Sequence, residues 1–240
     1  MLFFDPTYIL VIIGLVITMI ASSKLRNTYA KYAKIPSAKG LTGAQVAQKI
    51  LASNEIYGVQ IEEIDGELTD HYDPAKKVVN LSRPIFEGTS IASLGVAAHE
   101  CGHVIQDNTE YFPLRLRHAL VPVANIGSRL GIPMILIGLI FGGLINSLFK
   151  SSTAANTFVN IGLIAFALAV LFQVVTLPVE YNASKRAREQ LYNLGLITAE
   201  ERDAVKAVLS AAALTYVASA LSSALSLFRL ILLSGGRNRR

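Results

Sequence analysis

Ala98-His99-Glu100-Cys101-Gly102-His103-Val104-Ile105 places the pattern H-E-x-x-H in a stretch that is otherwise uncharged. Read as a helix, it sets two imidazoles four residues apart on one face, where both can bind a single Zn²⁺. Glu100, beside the first histidine, is placed to take a proton from a metal-activated water. Val96-Ala97-Ala98 before the pattern, Cys101-Gly102 within it and Val104-Ile105 after it suit a buried helix that carries a metal. The alternative, two surface histidines spaced by accident, is disfavoured by these flanks.

The composition bounds the rest. Of 240 residues, 52% are hydrophobic and 16% charged, whereas an ordinary soluble domain is about a quarter charged. The chain reads as a membrane protein. Its net charge of +5 does not indicate nucleic acid, because the basic residues flank apolar runs or lie in the last few positions, with no aromatic-basic stripe. Cys101 is the one cysteine, which excludes an intrachain disulfide, and it reads best as a small buried apolar side chain.

Residues Pro6 to Ser23 carry no charge and include Tyr8-Ile9-Leu10-Val11-Ile12-Ile13-Gly14-Leu15-Val16-Ile17, just long enough for a spanning helix. A cleaved signal peptide is the rival reading. It lacks support, because Asp5 is the only charge before the segment and Lys24 and Arg26 follow without a clear small-residue cleavage site. Further charge-free windows run over 130–149, 151–179 and 207–228. The first two form a hairpin turning near Lys150-Ser151-Ser152. The last is rich in small residues (Ala211, Ala212, Ala213, Ser219, Ala220, Ser222, Ser223, Ala224), which suits close helix packing, and whether it spans is left open.

Residues 24–118 form the one stretch of near-soluble composition. Thr42-Gly43-Ala44-Gln45 is a capping box leading into a helix with Val46, Ile50 and Leu51 on its apolar face. Gly58-Val59-Gln60-Ile61-Glu62 and Lys76-Lys77-Val78-Val79-Asn80-Leu81 are extended candidates, with Asp70-His71-Tyr72-Asp73-Pro74 as a turn between them. Their pairing would be a structural hairpin or an edge able to hold an extended peptide. Thr89 or Ser90 then caps the helix that bears the two histidines.

A catalytic zinc takes three protein ligands, so one more His, Asp or Glu is needed. His118 lies beside Arg115 and Arg117 and reads as an interfacial residue. His71 is a candidate. So is Glu180 in Leu177-Pro178-Val179-Glu180-Tyr181-Asn182-Ala183-Ser184, the first charge after the long apolar segment, with Pro178 read as near a helix start. Two crossings after His103 return Glu180 to the same side, which favours it. The alternative for Glu180 is a juxtamembrane acid paired with Lys185 or Arg186.

Asp70-His71-Tyr72-Asp73-Pro74, His99-Glu100-Cys101-Gly102-His103, Leu177 to Ser184 and Leu214-Thr215-Tyr216-Val217, in this order, resemble the YugP-like family of neutral zinc metallopeptidases, multi-pass proteins of bacterial membranes. The resemblance covers most of the chain. It implies one Zn²⁺ per chain held by His99, His103 and Glu180, with Glu100 as general base, and supplies no substrate. The arrangement is also similar to the HtpX-type membrane proteases, in which an acid usually follows four residues after the ligand glutamate. Ser184 stands there in this chain, so no carboxylate carries over to that position.

The expected fold is therefore an α-helical membrane protein with a zincin-like α+β catalytic domain, mostly α with a small β-hairpin or sheet. The expected divisions are an anchor over 6–23, the catalytic domain over 24–118, spans over 130–149 and 157–179, a third-ligand helix returning over 180–206, and a membrane-associated or spanning helix over 207–233. Lys24, Arg26, Lys31, Lys34, Arg115, Arg117, Lys185, Arg186 and Arg188 outnumber Lys150 across the apolar segments, which puts the site on the cytoplasmic face of the cell membrane. Residues 237–240 disagree if the last segment crosses once. The expected partners are the lipid bilayer and a protein or peptide substrate, membrane proteins included. His71, Tyr72 and Tyr181 are candidate donors to an oxyanion, each also explained by turn packing or interfacial anchoring. Two rivals remain: a zinc-holding membrane scaffold without turnover, and an intramembrane protease, which Gln106, Asp107, Asn108 and Glu110 just past the motif count against.

Overall fold

The computed structural model describes residues 5–150 and 153–235. The turn expected at Ser151-Ser152 and the basic residues at 237–240 lie outside the described residues. In chain order the elements are α1 (Tyr8–Tyr32), α2 (Gly43–Ser53), β1 (Gln60–Ile64), β2 (His71–Asp73), β3 (Val78–Ser82), α3 (Arg83–Phe86), α4 (Ile91–Asn108), α5 (Phe112–Ile140), α6 (Gly142–Leu148), α7 (Ala154–Asn193) and α8 (Arg202–Gly235). The protein is mainly helical with one small sheet. It divides into two compact units, one drawing on the chain up to Ile20, Leu116–Thr176 and the chain from Tyr216 on, the other on Ala21–Arg115 and Leu177–Thr215.

In the first unit, stretches of α1, α5, α7 and α8 carry the apolar surface. All four helices are long and apolar enough to cross a membrane. The α5–α7 pairing depends on glycine, since a Cβ on Gly127 would stand 2.1 Å from the Ala165 carbonyl oxygen and one on Gly162 2.7 Å from that of Gly131. Only glycine lets the two backbones approach so closely, the usual solution where lipid offers no hydrophobic drive to helix pairing. Small residues do the same for α8. Gly14 of α1 meets Ser222 of α8, and Arg229 of α8 donates to Asp5, just before α1, at 3.0 Å. Contacts at 14 with 222 and at 5 with 229 make the two helices antiparallel, so the later part of α8 runs back along the start of α1.

Two helix boundaries differ from expectation. The segment expected to span 130–149 belongs to a helix that already starts at Phe112 and breaks at Phe141, after which α6 follows. Pro178, expected near a helix start, lies inside α7, which runs unbroken for 40 residues. At 1.5 Å per residue α7 is roughly 60 Å long, about twice the thickness of bilayer hydrocarbon. Its polar C-terminal part, with Lys185, Arg186, Arg188 and Glu189, therefore extends beyond what a bilayer covers.

The second unit has a core made by α2, α4, β3, the end of α7 and the start of α8. Val46 and Ile50, Leu94, Ala98, Cys101 and Val104, Leu81, Ala187 and Leu191, and Val205 and Leu209 pack as one apolar cluster. Helix α4 is buried along almost its whole length, which explains its uncharged flanks. Ser90 caps it by accepting from Ser93 N at 3.1 Å, and Thr42 and Gln45 cap α2 reciprocally as a capping box. Cys101 is buried with its Sγ toward the Ala47 carbonyl.

The sheet corrects the expected hairpin. Its order is β1-β3-β2, with β1 parallel to β3 and β2 antiparallel to β3. The two strands expected to pair as a hairpin thus run parallel. The true hairpin joins β2 to β3 through residues 74–77, with Lys77 at φ 57° closing the turn. His71-Tyr72-Asp73, expected in a turn, is the third strand. Three residues are too few for alternation to show, and Asp73-Pro74 gave a turn signal that belongs one step further along the chain.

Candidate metal centre

Helix α4 presents His99 and His103 on one face, and α7 brings Glu180 to them. Glu180 Oε2 lies 3.2 Å from His99 Nε2 and 3.6 Å from His103 Nε2. Of the described residues, these three form a group whose potential ligand atoms all lie within 4.8 Å of one another. With zinc–ligand bonds near 2.1 Å, the edge of a tetrahedron is about 3.4 Å, so the two measured separations fit a shared tetrahedral ion. The donor set also fits, since two neutral imidazoles and one carboxylate leave a fourth position open, as catalytic zinc requires. Of the two third-ligand candidates, the structure brings Glu180 to the histidines and leaves His71 in β2.

The close approach that makes this possible occurs at Gly102. A Cβ there would stand 2.5 Å from the carbonyl oxygen of Ala183, so α4 and α7 touch backbone to backbone. Gly102 sits between the two histidines and Ala183 one helical turn past Glu180, so the contact sets the separation of the ligands. The sequence reading registered Gly102 only as uncharged.

Burial and charge tune the carboxylates in opposite directions. Glu180 is 2% exposed; burial raises its carboxyl, but the His103 and His99 imidazoles outweigh this and hold it well below the usual carboxylate range. It stays ionised. Glu100 is pushed up to about 7 by burial, with His99 opposing and Glu180 and Asp70 adding to the rise. Among the described residues Glu100 accepts no hydrogen bond, so no structural partner occupies its oxygens.

Both imidazoles are held from behind. His99 Nδ1 lies 3.2 Å from Ser184 Oγ, so the hydroxyl stands where the HtpX-type pattern has an acid. His103 Nδ1 lies 3.0 Å from Gln106 Oε1, and Gln106 Nε2 donates to the Val179 carbonyl at 2.8 Å and to Asn182 Oδ1 at 3.0 Å. Gln106 and Asn182 were not foreseen as site residues. The signal existed in spacing, because Gln106 follows His103 by three residues on one helix and Asn182 follows Glu180 by two.

The candidate oxyanion donors sort by their hydrogen bonds. His71 has Nδ1 2.8 Å from the Thr69 carbonyl and Nε2 3.2 Å from Asn80 Nδ2. A carbonyl only accepts, so the neutral ring spends its one N–H there. Tyr72 donates to Asp107 at 2.8 Å, and Lys77 holds the same oxygen at 2.7 Å. Tyr181 is 54% exposed. His118 lies in α5, within the first unit.

The chain matches, over residues 7–235, the family described as "Putative neutral zinc metallopeptidase". It belongs to that family. It is also 41% identical over 224 residues, 93% of this chain and 94% of the relative, to the Bacillus subtilis (strain 168) protein named "Putative membrane protease YugP". No solved structure matches it. The chain is thus a membrane protein of a zinc metallopeptidase family, with a His-His-Glu group fit to hold the metal.

Two glycines on α4 test the close approach. Gly95→Ala places its Cβ at an ordinary 3.8 Å from Val205 Cγ1 and should stabilise by roughly 0.5–1 kcal/mol through helix propensity. Gly102→Ala should instead cost about 1–3 kcal/mol by overpacking and reduce zinc retention. Thermal melts and metal content in detergent report both.

Proposed function

We propose that this protein is a membrane-bound zinc metalloendopeptidase that hydrolyses peptide bonds of protein or peptide substrates, membrane proteins included. The observation that carries the reading is the meeting of His99, His103 and Glu180 at 3.2–3.6 Å, with a buried, unbonded Glu100 on the same helix. One zinc per chain would sit between the three ligands. Bound there, zinc supplies Lewis acidity, which acidifies water and polarises a carbonyl.

The chain's own residues supply the rest. Glu180 contributes a negative charge at the site, because the imidazoles facing it hold its carboxyl well below the usual carboxylate range. Glu100 accepts the proton of the attacking water and passes it to the leaving nitrogen, a shuttle that needs a carboxyl free of other partners. Burial of Glu100 keeps bulk water from competing for that proton. The exposed edge strands β1 and β2 offer main-chain groups to which an extended substrate can add.

A scaffold that keeps zinc for structure is the second reading. It has no use for Glu100, because a structural site needs ligands and no base. The difference is measurable. Glu100→Gln should retain zinc and lose cleavage of unfolded protein substrates by at least 10²-fold, on the scale typical of a general base (about 10²–10⁴). Equal cleavage by the variant would remove the assigned base, and a zinc-loaded wild type inert on every substrate would favour the scaffold.

The excess of basic residues beside the second unit's chain segments supports a cytoplasmic site. A single-cysteine reporter tests it, since Cys101 is buried and Lys76 has a side chain 78% exposed. A membrane-impermeant maleimide should label Lys76→Cys only after cells are permeabilised. Labelling in intact cells would place the site outside.

A further inference from the structure

Gln106 is fully buried in α4, and each of its polar atoms is bonded. Its Nε2 faces the Val179 carbonyl at 2.8 Å and Asn182 Oδ1 at 3.0 Å. A main-chain carbonyl can only accept, so the amide NH₂ must point there and the orientation of the side chain is fixed by chemistry. Asn182 agrees, because its Oδ1 also accepts from Arg186 Nε at 2.8 Å. What remains is Gln106 Oε1, an acceptor with no proton, 3.0 Å from His103 Nδ1.

The consequence falls on His103. A neutral imidazole carries one proton, and an acceptor-only partner at Nδ1 holds that proton there. That leaves the Nε2 lone pair for a metal, on the side where Glu180 Oε2 stands at 3.6 Å. His99 is different. Its partner at Nδ1 is the Ser184 hydroxyl, which can donate or accept and so imposes no tautomer. Gln106 also spans the two ligand-bearing helices, with one end on the motif histidine and the other on the residue before Glu180.

We propose that Gln106 is a positioning residue for the metal: its Oε1 fixes the proton of His103 on Nδ1 and turns Nε2 to the metal, while its Nε2 locks the helix that carries Glu180. The proposal rests on the zinc site argued above.

Two substitutions separate the two ends of the side chain. Gln106→Met keeps the volume and loses every hydrogen bond, whereas Gln106→Glu keeps an acceptor for His103 and loses the donors to Val179 and Asn182. Zinc affinity of the full-length protein in detergent is measured by competition with a chromophoric chelator, beside the thermal midpoint of the metal-free protein. Both variants should lower that midpoint. Only Gln106→Met should lose 10–100-fold in zinc affinity, the range typical of an outer partner of a ligating histidine, with a changed cobalt(II) absorption spectrum. Gln106→Glu should bind zinc within about threefold of wild type on the same argument. Affinity falling equally in both variants, or undiminished in Gln106→Met, would overturn the assignment. A wild type that takes up no zinc would instead overturn the zinc site itself, so the two failures are distinguishable.

Discussion

One contact governs the site: α4 and α7 meet backbone to backbone at Gly102 and Ala183, with no room for a side chain. Everything chemical follows from it. Held there, one Glu180 oxygen on α7 lies 3.2 and 3.6 Å from the two imidazoles on α4. The ionised Glu180 is tolerated in a buried position because those imidazoles face it. Gln106 repeats the tie one turn further along, joining His103 to Val179 and Asn182. Each half of the site therefore stabilises the placement of the other.

A single unbroken helix, α7, carries an apolar stretch long enough to cross a bilayer and, past Pro178, Glu180. Within the first unit, close contacts at glycines and small residues of α1, α5, α7 and α8 fix helix against helix.

The motif helix was legible because a period of 3.6 places His99 and His103 on one face, and because its neighbours are uncharged. Glu180 was legible through topology: two crossings after the motif bring the next charge back to the same side. The sheet was not. Which of β1 and β2 pairs with β3 in a hairpin depends on contacts that local alternation does not encode, and β2 is only three residues long. The length of α7 was obscured by Pro178, whose ring disfavours but does not forbid a helix interior. Gln106 and Gly102 escaped for opposite reasons: a glutamine past a motif reads as a side chain facing water, and a glycine inside one reads as mere absence of charge.

A metal shared by His99 and His103 of α4 and Glu180 of α7 requires both helices for its retention. Metal content of the purified wild type and of Glu180→Ala, compared after identical dialysis, tests it. The prediction is about one zinc per chain in the wild type and its loss in Glu180→Ala with helix content preserved. Undiminished zinc in Glu180→Ala would contradict it.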